Sequence, residues 1–121
     1  MMDLTTRQKI CQLVAGIVIT DDVLDAKEEA FVDRMIASFG LSDTNRDVIF
    51  PLVDGKEAAE EITRLPKEAQ EEAFRLLIEA AAVDGEIVPE ERAYLKQVAD
   101  VLGITQDDIE QRLAKQLAAA S

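Results

Sequence analysis

The chain has 121 residues, of which 25 are acidic and 13 basic, with no histidine and one cysteine, for a net charge of −12. That charge excludes nucleic acid and an anionic membrane surface as partners, since like charges repel, and favours cations or a basic protein surface. A lone Cys11 forms no internal disulfide, no apolar run nears the roughly 20 residues of a membrane span, and the N-terminus lacks a basic and apolar leader; a single domain over residues 1–121 in the reducing cytoplasm is expected.

Taken in order, residues 5–19 place Ile10, Leu13, Val14, Ile17 and Val18 on one helical face, with Thr5 or Thr6 as cap and Cys11 among the apolar residues. Asp21 and Asp22 interrupt the pattern, and Asp25 caps a second helix over 26–39 that carries Ala30, Phe31, Arg34, Met35, Ala37 and Ser38 on one side. Gly40 followed by apolar Leu41 is a left-handed helix stop. Ser42 or Asp43 opens a short helix through Val48 and Ile49, and residues 53–55 read as a turn. A further short helix covers 56–65. The strongest helical pattern runs over 66–83, where Pro66 suits the first turn and Phe74, Leu77, Ile78 and Ala81 form the apolar face. Asp84-Gly85 is a turn dipeptide. Pro89, Glu90 and Glu91 open a helix through Leu95, Val98 and Leu102, with Gly103 as its stop. Thr105 then caps a last helix carrying Ile109, Leu113 and Leu117. No stretch alternates with period two, so the expected fold is all-α, with six to seven helices in one compact bundle.

The chain also repeats itself. Displaced by 63 positions, Gly40 falls on Gly103, Asp21 on Asp84, Glu28 on Glu91, Phe31 on Tyr94, Met35 on Val98 and Leu13 on Leu76. This register predicts two helical hairpins, roughly residues 10–50 and 73–113, related by a pseudo-two-fold axis. Each copy carries an Asp and a Glu at the same spacing.

That acidic pair has two readings. As an EF-hand loop, Asp84 would take position 5, Gly85 position 6 and Glu91 position 12, but Ala80 and Ala82 then occupy positions 1 and 3 and offer no side-chain oxygen. Ile17 and Ile19 fail the first copy likewise. As local structure, Asp84-Gly85 makes an interhelical turn and Glu91 sits where a helix N-terminus favours negative charge. Pairing of the hairpins would bring Asp21, Glu28, Asp84 and Glu91 together, with Asp22 and Glu86 as neighbours. Such an oxygen-rich cluster suits a hard divalent cation such as calcium.

The run from Leu76 through Ala80-Ala81-Ala82-Val83-Asp84-Gly85-Glu86-Ile87, with Pro89-Glu90-Glu91, Leu95 and Leu102-Gly103-Ile104, resembles the TerB family. That family is named for tellurite resistance, and the N-terminal domain of the DjlA-type co-chaperone is related to it. The resemblance implies a duplicated all-helical fold, metal binding through acidic residues and a place in stress-response complexes. By the same resemblance Asp21, Glu28, Asp84 and Glu91 are the site positions. The first copy departs from the pattern at Asp22, where the family often has glycine. The alternative is a metal-independent interaction module or co-chaperone-like adaptor. An enzyme is not expected: the chain has no histidine, no phosphate-binding glycine loop and only three serines, Ser38, Ser42 and Ser121.

Overall fold

In the computed structural model, residues 3–18, 26–40, 53–83, 85 and 87–119 are described, together with the backbone of Ala120. Among these residues the chain forms six helices and no strand: α1 (Leu4–Val18), α2 (Ala26–Ser38), α3 (Gly55–Ile62), α4 (Lys67–Ala81), α5 (Pro89–Leu102) and α6 (Gln106–Ala120). The short helix expected over Ser42–Ile49 lies outside the described residues.

Helix α1 is the centre of the bundle. It packs most extensively on α4 and also touches α2, α3 and α5, while α3 lies along α5. The amphipathic pattern gave α1 one buried face, yet its C-terminal half is buried all round, with Cys11, Ala15 and Gly16 enclosed beside Ile10, Leu13, Val14, Ile17 and Val18. Small residues let neighbouring helices close over a side that hydropathy alone leaves to solvent. Phe74, Leu77, Ile78 and Ala81 of α4 complete the centre, as the sequence predicts, with Ala69, Ala73, Leu76 and Ala80 beside them.

Helix ends follow local chemistry. Asp3, rather than Thr5 or Thr6, caps α1: its Oδ1 accepts from the Thr6 amide at 2.8 Å, which also holds the Asp3 carboxyl below the usual carboxylate range. Asp54 caps α3 by accepting from Glu57 N at 2.8 Å, so the expected turn at 53–55 already contains the first residue of that helix. The α3 helix ends at Ile62, three residues before the expected stop at Leu65. Thr105 caps α6 as predicted, its hydroxyl accepting from Asp108 N at 3.2 Å. On α2 the buried side is Glu28, Phe31, Val32, Met35 and Ile36: of the expected set Phe31 and Met35 are buried, while Ala30, Arg34, Ala37 and Ser38 are exposed.

The 63-residue register coincides with helix boundaries. α1 and α4 are both 15 residues long and begin 63 positions apart, as do the starts of α2 and α5. Gly40 and Gly103 follow α2 and α5 with φ of 74° and 75°, the left-handed conformation that stops each helix without a Cβ penalty. Arg7 of α1 donates to the Phe39 carbonyl at 2.7 Å and secures the end of α2.

Candidate functional site

Two carboxylates, Glu28 and Glu91, are the buried charged residues among those described, 6% and 5% exposed. Each is the third residue of its helix, in α2 and α5 respectively, and the two are related by the 63-residue register. Burying one carboxylate costs several kcal/mol unless hydrogen bonds or positive charge compensate it. A helix N-terminus supplies part of that compensation through its unpaired amides and positive dipole end.

For Glu91 the compensation is visible. Its Oε1 accepts from the Val88 amide at 3.0 Å, and its own amide donates to the Val88 carbonyl at 3.1 Å. This is the carboxylate half of a capping box; valine has no side-chain oxygen to complete the other half. Val88 is extended, with φ −80° and ψ 158°, and Pro89 begins the helix, so the chain turns sharply into α5 with Glu91 folded back over the corner. On the other side of the corner α4 ends in a tightening turn: Ala82 N reaches both the Ile78 and Glu79 carbonyls at 3.3 Å, and Gly85 N donates to Ala82 O at 3.0 Å.

The remaining proposed site residues, Asp21, Asp22, Asp84 and Glu86, lie outside the described residues. The two described members, Glu28 and Glu91, are buried carboxylates and match a hard cation in donor chemistry. Calcium takes 6–8 oxygens, whereas two carboxylates offer four at most. No group of three or more His, Cys, Asp or Glu poised around one ion occurs among the described residues.

Two features escaped sequence reasoning. Tyr94, the register partner of Phe31, donates its hydroxyl to the Leu13 carbonyl at 2.7 Å in the core and joins α5 to α1. Burial, with Asp54 and Glu57 nearby, pushes its phenol pKa upward. A groove of about 400 Å³ also runs between α4, the α5–α6 turn and α6, lined by Lys67, Glu71, Phe74, Leu102, Ile104 and Arg112 among others. Both assemble from residues far apart in sequence, so neither leaves a local motif. Cys11 behaves as expected for an enclosed thiol: burial pushes its pKa up to about 12.

The family model described as Tellurite resistance protein TerB matches residues 52–114, just over half of the chain. The match takes in α3, α4 and α5 and most of α6. No curated protein and no solved structure matches the chain.

Proposed function

The chain belongs to the TerB family, and from that premise we propose that it is a small, non-enzymatic, acidic module of a tellurite-resistance-type stress response in the cytoplasm. It holds a divalent cation such as calcium through Asp21, Glu28, Asp84 and Glu91, with Asp22 and Glu86 beside them. The observation that carries this reading is the recurrence of a buried glutamate at the same step of two helices. One buried carboxylate is a local solution to a helix end; two in register mark a repeated demand for negative charge. The cation would supply the positive charge that these acids face and would tie the two corners together. Its role is structural and regulatory, with no bond made or broken. The remaining acidic surface suits a partner with a basic face.

Tellurite itself is a poor substrate for this module. The single thiol, Cys11, which could serve as a reductant, is buried and stays protonated at neutral pH. A net charge of −12 repels the anion as well.

A metal-independent interaction module, as in a co-chaperone-like adaptor, is the second reading. The Glu91–Val88 bond favours it, because that bond gives the carboxylate a purpose without any ion. Thermal unfolding of chelator-stripped protein with calcium, magnesium, manganese or zinc separates the two. A bound ion at about 100 times its Kd stabilises by roughly 2.7 kcal/mol, or on the order of 10 °C for a domain of this size. Such a shift with one ion, lost in an Asp21→Asn/Asp84→Asn double variant, supports the cation reading. No shift with any ion rejects it and leaves partner capture.

A further inference from the structure

The lining of the groove beneath α6 is richer in base than in acid. Three of its eight lining residues, Lys67, Arg75 and Arg112, are basic and one, Glu71, is acidic, in a chain where acids outnumber bases nearly two to one. Phe74, Leu102 and Ile104 supply its apolar wall. The Arg112 guanidinium lies over the Phe74 ring, 5.3 Å from its centroid, which sets a cationic head against the apolar surface. Lys67 is the first residue of α4, and the cap before it, Pro66, offers no side-chain acceptor. The positive end of that helix lies beside the lysine, with Glu68 also in its first turn. We propose that this groove binds a small organic anion, a carboxylate joined to an apolar body, with the body against Leu102, Ile104 and Phe74 and the carboxylate between Lys67 and Arg112.

The cations are available for this. Arg75 pairs with Glu72 and Glu79 on its own helix, and Arg112 pairs with Asp108 at 3.1 Å on its own. These pairs are half-exposed and lie three or four residues apart, the class that contributes little and exchanges readily with water and ligands. The volume, about 400 Å³, lies within the range of small-molecule sites. The groove is lined by none of the four acids in the cation proposal, so success or failure of one leaves the other standing.

Octanoate is the probe, with octanol as its neutral match, titrated into the full chain labelled for amide NMR. Saturable shifts should appear at Lys67, Glu71, Arg75, Ile104 and Arg112, with octanol at least several-fold weaker. Lys67→Glu should weaken octanoate about fivefold or more and leave octanol unchanged; a glutamate in the first helical turn favours α4, so folding is preserved. Leu102→Gln should weaken both ligands. Equal affinity for octanoate and octanol would reduce the groove to an apolar crease and overturn the proposal. Shifts that are absent, non-saturating or located elsewhere would overturn it too.

Discussion

Gly16→Ala sets two physical effects against each other. Gly16 lies inside α1, where alanine in place of glycine ordinarily stabilises a helix by about 1 kcal/mol. The structure opposes that gain. A Cβ on Gly16 would stand 2.6 Å from the Tyr94 hydroxyl, 2.6 Å from the Val53 carbonyl oxygen and 3.3 Å from a Val53 methyl. Overpacking of a closed core costs typically 1–3 kcal/mol, and displacing the Tyr94 hydroxyl also endangers its bond to Leu13, worth about 1 kcal/mol. The sum predicts a net loss of about 1–3 kcal/mol. Unfolding entropy for 121 residues is about 0.25 kcal/mol/K, so each kcal/mol moves Tm by about 4 °C; a fall of about 4–12 °C by calorimetry is expected. Tyr94→Phe alone should cost about 1 kcal/mol, since the register partner Phe31 shows that a bare ring fits such a position. In a double-mutant cycle the alanine should cost at least 0.5 kcal/mol less beside Phe than beside Tyr. A Tm that rises in Gly16→Ala, or a cycle that closes with no coupling, would refute the close packing of Val53 and Tyr94 on α1 at this point.

Other outcomes follow from single groups. The Cys11 thiol is raised from an ordinary value near 9 to about 12 by burial. The unfolded chain therefore loses its proton first as pH rises, and stability should fall between pH 9 and 12 by up to about 1.4 kcal/mol per pH unit. Tyr94, also raised, steepens that fall above pH 10. Urea denaturation at pH 8 and pH 10 measures the slope, and Cys11→Ser should flatten it. Glu91→Ala removes the acceptor for the Val88 amide and should cost about 0.5–2 kcal/mol, whereas Glu91→Gln keeps an oxygen there and should cost less. A Gln variant as unstable as the Ala variant would show that charge, not the cap bond, holds the corner.

Much of the helical architecture was legible because period 3.6 survives local reading. Ile10, Leu13, Val14 and Ile17 are spaced for one face, and Gly103 and Thr105 mark a stop and a start by their own backbone preferences. What escaped were features that depend on a second element. The burial of Gly16 needs Val53 and Tyr94 against it, and alanine and serine on α2 suit either side of a helix. The cap of α1 was misassigned because Asp3 competes with two adjacent threonines, and a carboxylate accepts more strongly than a hydroxyl. Of the candidate cation site, Glu28 and Glu91 were found through the repeat and the resemblance to the TerB family; the sequence around Glu28 by itself does not set it apart from the other acids.

The repeat is also where the two halves part. Carried through the 63-residue register, Gly16 becomes Glu79, Tyr94 becomes Phe31 and Leu13 becomes Leu76. The first trio meets in the core, where the missing side chain of Gly16 admits the Tyr94 hydroxyl and Val53 closes over it. The second trio only shares a cleft: Phe31, Leu76 and Glu79 are among the residues lining a space of about 280 Å³ between α2 and α4. The register is thus kept while the packing changes, a closed junction in one half and an open cleft in the other. Opposite tolerance to substitution follows. Glu79→Ala, at the register partner of Gly16, removes one half-exposed ion pair with Arg75 and adds no bulk. It should shift stability by no more than about 0.5 kcal/mol, or about 2 °C. A loss above 1 kcal/mol in Glu79→Ala would mean that the α2–α4 junction is as tightly built as its counterpart, and that the cleft is not open in solution.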